Sequence, residues 1–203
     1  MAAIVNTEID VTTGSSTNVG IPKLFVTPDS LRKNSYILAS KVVKDDFKPD
    51  FLVAIWRGGA PIGICVHEFL KYKNINTDHI AIRTSRYTGI DETSTNIGVH
   101  NLGYLTERLK PDSKVLLVDD VYDSGRSIEA IFEELKKKCG DQMPIDIRTA
   151  TIYYKPTRNE TGKVPEYYVE ESTEWIVFPH ELEGLSLEEV AVAKGQEVAD
   201  LLK

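Results

Sequence analysis

The chain has 203 residues, of which 41% are hydrophobic and 27% charged, and its formal net charge is −7. This composition is typical of an ordinary globular domain, and no stretch has the length of a membrane span or the pattern of a secretory signal. We therefore expect one cytoplasmic domain with two free thiols, Cys65 and Cys139, and with neither nucleic acid nor a membrane as partner.

The N-terminal part combines a polar lead-in with a helix and a strand. Residues 6–20 are rich in Thr, Ser, Asn and Gly, which indicates a flexible segment. Thr27 as N-cap and Pro28 at the first helical position begin a helix that the apolar spacing extends to about Asp46. Phe51–Trp56 is apolar almost throughout, as expected for a strand buried on both faces.

The rest of the chain continues this alternation of strands and helices. The further predicted elements are a turn at Gly58-Gly59, a helix over Pro61–Leu70, a strand over His79–Thr84, a polar loop from Ser85 to about Asn96, a helix over His100–Leu109, a strand over Lys114–Val118, a helix from Ile128 to about Cys139, strands over Ile145–Tyr153, Tyr167–Val169 and Trp175–Phe178, and a terminal helix from about Leu187. This order predicts an open, mainly parallel, twisted α/β sheet flanked by helices. Ligands bind beyond the carboxyl ends of such strands, so the segments after Trp56, Val118 and Tyr154 should converge on one crevice.

Three carboxylates follow the most apolar strand. Asp119 and Asp120 come directly after it, and Asp123 precedes the turn Ser124-Gly125-Arg126-Ser127. Carboxylates at the end of a buried strand are costly unless they bind something. The backbone N–H groups and hydroxyls of the turn can cradle a phosphate, while Asp119 and Asp120 suit ribose hydroxyls and a hydrated Mg²⁺. The alternative is an ordinary connection in which Asp123 is only a helix N-cap.

Val115–Ser127 resembles the phosphoribosyl-pyrophosphate (PRPP) signature of the type I phosphoribosyltransferases. Four more segments, in order, resemble the xanthine-guanine and hypoxanthine (6-oxopurine) members of that family. These segments are Phe25–Leu31, Ile55–Gly63, Ala150–Pro156 and Glu174–Glu181. The resemblance implies the type I fold with a small hood. Residues 1–24 would be a flexible extension or part of the hood, and 25–203 a single domain with its core at about 36–160 and its hood from about 161–185.

The resemblance also implies which residues bind PRPP. Arg57, Gly58 and Gly59 correspond to the pyrophosphate loop, where family members often have a cis peptide. The residues that correspond to the ribose and phosphate site are Asp119, Asp120, Asp123, Ser124, Gly125, Arg126 and Ser127, with Mg²⁺ at Asp119 and Asp120. Ser85-Arg86-Tyr87 is similar to the family's lid, which would exclude water. The alternative for Arg57-Gly58-Gly59 is a tight turn with an exposed arginine, and the alternative for Ser85-Arg86-Tyr87 is a plain surface loop.

A second set of residues corresponds to the purine site. The resemblance places Lys155 on the 6-oxo group and Asp123, as acid and base, near N7, so that these two residues are catalytic. It also implies that Trp175 stacks on the purine and that Ile176 offers its main chain to the base edge. Glu181 stands where the relatives usually have an aspartate near the metal or the base. A solvated surface lysine and a core tryptophan are the alternatives for Lys155 and Trp175.

Together these resemblances imply a purine salvage enzyme. It would transfer the 5-phosphoribosyl group from PRPP to N9 of guanine, xanthine or hypoxanthine, as a homo-oligomer (dimer or tetramer). Two alternatives stay open. One is a phosphoribosyltransferase for another base, which Lys155 and Trp175 disfavour. The other is a non-catalytic regulator that senses PRPP or a nucleotide, which the acidic composition disfavours.

Overall fold

The computed structural model describes residues 23–86 and 97–203, which fall into two compact units. The larger unit comprises 32–173, and the smaller one joins the chain up to Leu31 with Glu174–Lys203. The strands are β1 Lys23–Phe25, β2 Phe51–Trp56, β3 Asp78–Arg86, β4 Ile97–His100, β5 Lys114–Tyr122, β6 Asp146–Tyr154, β7 Tyr167–Glu171 and β8 Trp175–Val177. The helices are α1 Pro28–Lys44, α2 Gly59–Tyr72, α3 Gly103–Thr106, α4 Arg126–Cys139, α5 Leu187–Lys194 and α6 Gln196–Leu201, with 3₁₀ turns at Gly140–Gln142 and Pro156–Arg158.

The larger unit is built on one sheet of six strands in the order β4-β3-β2-β5-β6-β7. All neighbouring pairs are parallel except β3 and β4, so the predicted mainly parallel α/β sheet is confirmed. The order of the strands reverses between β2 and β5. The segments that follow these two strands therefore leave the same edge of the sheet at a switch point, which is where open α/β sheets form their ligand crevices.

Both faces of the central strands are covered. One face packs against α4 and α3 in a single apolar cluster. The buried members of this cluster on β2, β5 and α4 are Val53, Ile55, Val115, Leu117, Tyr122, Ile128, Ile131 and Leu135. On the opposite face α2 lies so close to β2 that a Cβ on Gly63 would be 2.8 Å from the Cβ of Ala54. Burial on both sides explains why β2 and the start of β5 are almost continuously apolar.

The helix ends follow their local sequence. The backbone N–H of Ser30 donates to Thr27 Oγ1 at 3.1 Å, which confirms the predicted N-cap of α1. Helix α4 ends at Gly140, whose φ is +52°. The predicted terminal helix is two helices, because Gly195 between α5 and α6 has φ +100° and ψ 150°, a conformation outside the helix.

The helix predicted over His100–Leu109 is confirmed only over Gly103–Thr106. His100 ends β4 and pairs with Arg83 of β3, and Ser85 Oγ lies 2.8 Å from His100 Nε2. The helical spacing of the sequence is overridden here by a tertiary contact, because β4 pairs with β3 in antiparallel fashion at the edge of the sheet. The polar loop also begins later than predicted, because Ser85 and Arg86 lie in β3. The rest of that loop, including Tyr87, lies outside the described residues.

The smaller unit contains a two-stranded parallel sheet of β1 and β8, in which Lys23 pairs with Trp175. The short β1 was not predicted. Lys23 Nζ lies 2.6 Å from Glu189 Oε1, and this contact ties the sheet to α5. In neither described range is any helix long and apolar enough to cross a membrane.

Candidate functional site

Strand β5 runs four residues beyond its predicted end, so Asp119 and Asp120 lie within the strand. The N–H of Asp120 donates to Asp119 Oδ1 at 3.0 Å, and the N–H of Val121 donates to Asp120 Oδ1 at 2.7 Å. Each carboxylate is thus held by the backbone that follows it. The result is two adjacent acids fixed at the carboxyl end of the central strand.

The charge of Asp120 affects the protonation of Asp119. Burial, and next the charge of Asp120, raise the pKa of Asp119 well above its ordinary value of 3.8, and hydrogen bonds from the backbone of Asp120 and Gly59 oppose this rise. A buried carboxylate beside a second one is unfavourable in the charged form. A cation placed between them would remove this cost.

The turn after β2 packs directly on these acids. The peptide bond between Trp56 and Arg57 is cis, as the resemblance implies for this turn. A Cβ on Gly58 would lie 1.7 Å from Asp120 Oδ2, and one on Gly59 would lie 2.2 Å from the carbonyl oxygen of Val118. The two glycines therefore permit a close backbone approach that no other residue allows. The predicted convergence of the segments after β2 and β5 is confirmed.

The turn Asp123–Ser127 joins β5 to α4. Gly125 is the N-cap of α4 and has a left-handed φ of +81°, and no side chain caps the helix. The alternative that Asp123 is only an N-cap is therefore wrong. The N–H of Arg126 lies 3.4 Å from Ser124 Oγ, and the first-turn N–H groups of α4 have no acceptor within the helix. Such a turn presents donors to an anion.

Lys155 brings the third predicted segment to the same edge. The backbone N–H of Lys155 donates to the carbonyl oxygen of Tyr122 at 2.9 Å. The Lys155 side chain is 6% exposed, and its Nζ lies 3.9 Å from Asp123 Oδ2. Burial lowers the pKa of Lys155, while the charge of Asp123 raises it and that of Arg158 lowers it. The alternative of a solvated surface lysine is wrong. The segments after β2, β5 and β6 all meet at this edge, as predicted.

Asp123 also has a partner that was not predicted. Arg158 Nε lies 2.8 Å from Asp123 Oδ1, yet this buried oxygen makes no aligned hydrogen bond within 23–86 and 97–203. The Asp123 side chain as a whole is 35% exposed, so a ligand can reach the carboxylate although Arg158 pairs with Oδ1. No spacing in the sequence indicates Arg158, because its contact depends on how the 3₁₀ turn after β6 folds back.

The remaining predicted residues lie in other parts of the fold. Trp175 begins β8 and is 51% exposed, so the alternative of a core tryptophan is wrong, while Ile176 is buried. Glu181 closes a turn in which its carboxylate accepts the N–H of Phe178 at 2.9 Å. Ser85 lies in β3 with His100 as its partner.

We expect Asp119→Asn to stabilise the protein when no divalent cation is present. The raised pKa means that the folded state holds the Asp119 proton more tightly than the unfolded chain does. Stability therefore falls as the pH rises from about 4 through the raised pKa. The variant lacks this loss, so at neutral pH it should melt about 2–4 °C higher, equivalent to about 1 kcal/mol for a chain of this size. Thermal unfolding of both proteins across this pH range checks the prediction, and a difference that does not grow with pH contradicts it.

Comparisons with known proteins agree on one family. The phosphoribosyl transferase domain model matches residues 27–186. The chain is 24% identical over 135 residues to xanthine phosphoribosyltransferase 1 of Saccharomyces cerevisiae, which covers 61% of this chain and 65% of the yeast protein. The match thus spans less than two thirds of that relative's length.

Solved structures have the same fold. The purine phosphoribosyltransferase of Pyrococcus horikoshii is 28% identical, with a TM-score of 0.65 over 81% of this chain and 97% of that one. The xanthine-guanine-hypoxanthine phosphoribosyltransferase of Helicobacter pylori is 21% identical, with a TM-score of 0.59 over 84% and 96% of the two chains. With a domain match over most of its length and the acid-rich turn at the switch point of its sheet, the chain belongs to the phosphoribosyltransferase family.

Proposed function

We propose that this protein is a purine salvage enzyme that transfers the 5-phosphoribosyl group of PRPP to N9 of guanine, xanthine or hypoxanthine and releases pyrophosphate. The observation that carries the proposal is that Lys155 is buried beside Asp123. Asp123 is the first residue of the turn Asp123–Ser127, named here the phosphate turn. A buried ammonium group favours an oxo acceptor and disfavours an amino group at the same position. The named relatives with purine substrates support the same class of acceptor.

The two ends of PRPP would bind at two turns. The turn Ser124–Ser127 would hold the 5′-phosphate with its backbone N–H groups and hydroxyls, and Gly125 gives the left-handed conformation that this requires. Arg57, Gly58 and Gly59 would hold the pyrophosphate, and the missing side chains let this loop lie directly against Asp120 and Val118. Ser85, Arg86 and Tyr87 stay a predicted lid.

Asp119 and Asp120 would hold the ribose hydroxyls and Mg²⁺. The raised pKa of Asp119 fits a cation at this place, because a divalent charge removes the repulsion between two neighbouring carboxylates. In the described ranges no group of three or more His, Cys, Asp or Glu side chains converges on a metal site. This fits Mg²⁺, which binds through one or two carboxylates and takes its other ligands from water and substrate phosphates. When bound, it would neutralise charge on the pyrophosphate.

The acceptor base would lie between Asp123 and Lys155. As N9 forms its bond to C1′ and the bond from C1′ to pyrophosphate breaks, the purine loses a proton from N7, and the Asp123 carboxylate accepts it. The Asp123 side chain is 35% exposed, which supports this role because a base can reach the carboxylate. Lys155 would stabilise the charge that develops on the 6-oxo group.

The resemblance supports three further purine-binding residues. Trp175 would stack on the base, and its exposed ring is available for that contact. Ile176 would offer its main chain to the base edge, and Glu181 would lie near the metal or the base. The homo-oligomer and the cytoplasmic location stay predictions.

The test is consumption of PRPP by the purified protein with Mg²⁺ and a single free base. Guanine, xanthine and hypoxanthine form the expected group, and adenine and orotate are the controls. We expect nucleoside monophosphate and pyrophosphate in equal amounts from at least one 6-oxopurine, and much less product from either control. Product with adenine or orotate alone would contradict the role of Lys155, and no PRPP consumption with any base would contradict the proposed function.

A further inference from the structure

The segment Asn159–Lys163, which follows the 3₁₀ turn after β6, folds onto the proposed phosphate turn. The N–H of Glu160 donates to the carbonyl oxygen of Ser124 at 3.0 Å, and the Glu160 carboxylate pairs with the guanidinium of Arg126. Thr161 Oγ1 lies 3.0 Å from the hydroxyl of Tyr122. The phosphate turn is therefore held by a hydrogen bond and an ion pair to a segment that lies about 35 residues further along the chain.

The hydrogen bonds within this segment determine which hydroxyl donates. Asn159 Nδ2 donates to the carbonyl oxygen of Lys163 at 2.7 Å, which fixes the orientation of the amide. Asn159 Oδ1 must therefore accept, and it lies 3.0 Å from both the N–H and Oγ1 of Thr161. Thr161 has one hydroxyl proton, and because that proton goes to Asn159, the Tyr122 hydroxyl donates to Thr161. The result is a directed chain from Tyr122 through Thr161 to Asn159.

This chain of hydroxyls touches the backbone of Gly125. A Cβ on Gly125 would lie 2.7 Å from Thr161 Oγ1 and 2.7 Å from the Tyr122 hydroxyl. Tyr122 is buried, with 3% of its surface exposed, so it provides a fixed support. Gly125 has the left-handed φ on which the phosphate turn depends, and the two hydroxyls pack against it.

We propose that Thr161 is a positioning residue for binding of the 5′-phosphate. Its hydroxyl, held between Tyr122 and Asn159, keeps Gly125 in the conformation that presents the backbone donors to the phosphate. Glycine is the residue that gains most freedom when such support is lost, so an unsupported turn must be ordered again each time PRPP binds. This inference rests on the proposed function, because the phosphate in question is that of PRPP.

Thr161→Val removes the hydroxyl and keeps the shape of the side chain. We expect the Kd for PRPP, measured by calorimetric titration with Mg²⁺, to rise about 10-fold, the cost of ordering about one backbone residue. The KM for PRPP should rise with it, while kcat and the KM for the base change little, because Thr161 packs against the phosphate turn and is not among the residues proposed to bind the base. Tyr122→Phe removes the donor at the other end of the same hydrogen bond and should shift the Kd in the same direction.

Two further variants separate the hydroxyl from general packing. Thr161→Ser keeps the hydroxyl and should restore a Kd close to that of the wild type, and Thr173→Val is the same substitution at an exposed residue and should leave the Kd unchanged. Melting temperatures identify any variant that does not fold. Unchanged PRPP affinity in both Thr161→Val and Tyr122→Phe, or a Thr161→Ser variant as weak as Thr161→Val, would overturn the inference. Wild-type protein that binds no PRPP would instead overturn the proposed function.

Discussion

Replacement of Gly59 by alanine should destabilise the protein and remove most of the proposed phosphoribosyl transfer. Gly59 is the first residue of α2, a position where alanine is ordinarily better than glycine by up to about 1 kcal/mol. Here the sign reverses, because the new Cβ would lie 2.2 Å from the carbonyl oxygen of Val118 and 3.0 Å from Cα of Asp119. Both atoms belong to the backbone of β5, which cannot rotate away. Either α2 or the end of β5 must move.

The expected losses of stability and of turnover follow from the displacement of α2 or of the end of β5. Forcing an extra carbon into a packed contact costs about 1–3 kcal/mol of stability. The same shift displaces Asp119, and a misplacement of about 1 Å at a reacting site lowers turnover about 100-fold. Urea unfolding and PRPP turnover with the preferred 6-oxopurine measure the two effects.

Gly103→Ala provides the matched control. Gly103 is also the first residue of a helix, and a Cβ there would meet no atom within 4 Å. This variant should lie within about 0.5 kcal/mol of the wild type in stability and retain its turnover. If Gly59→Ala were as stable and as active as Gly103→Ala, the close approach of α2 to β5 would not be a requirement of the site.

The sequence predicts well the elements whose pattern is set by burial alone. Strand β2 was predicted over the observed residues, because a strand buried on both faces leaves an uninterrupted apolar run. The strand that ends at His100 was missed. Its residues form a strand because they pair with β3 at the sheet edge, whereas the sequence predicted a loop to about Asn96 and a helix from His100.

The same distinction applies to the candidate site. Asp119, Asp120 and Asp123 belong to one local segment, so their order along the chain reveals their common position. Arg158 and Thr161 reach Asp123 and Gly125 only because the chain after β6 folds back on the turn after β5. A contact between segments so far apart leaves no periodicity or spacing to read.

Asp123→Asn should lower kcat by about 100- to 10,000-fold, the range expected for loss of an acid-base group. Asparagine has nearly the same shape and can still accept a hydrogen bond, but it cannot take the proton that the proposed reaction removes from N7 of the purine. The substitution leaves Gly125 and the backbone donors of the turn in place. The Kd for PRPP should therefore change much less than kcat, and this split separates a chemical role from a binding role.

The variant also changes the environment of Lys155. The charge of Asp123 opposes the effect of burial on the pKa of Lys155, so its removal should lower that pKa further. A lysine that loses its proton more easily stabilises the 6-oxo group less at high pH. The loss of the remaining turnover at alkaline pH should therefore begin at a lower pH in the variant than in the wild type. Asp141→Asn, the same substitution at an exposed residue, should change neither kcat nor this alkaline limb. Near-normal turnover in Asp123→Asn with an unshifted limb would mean that the proton leaves N7 by another route, and that the contact between Asp123 and Lys155 is structural.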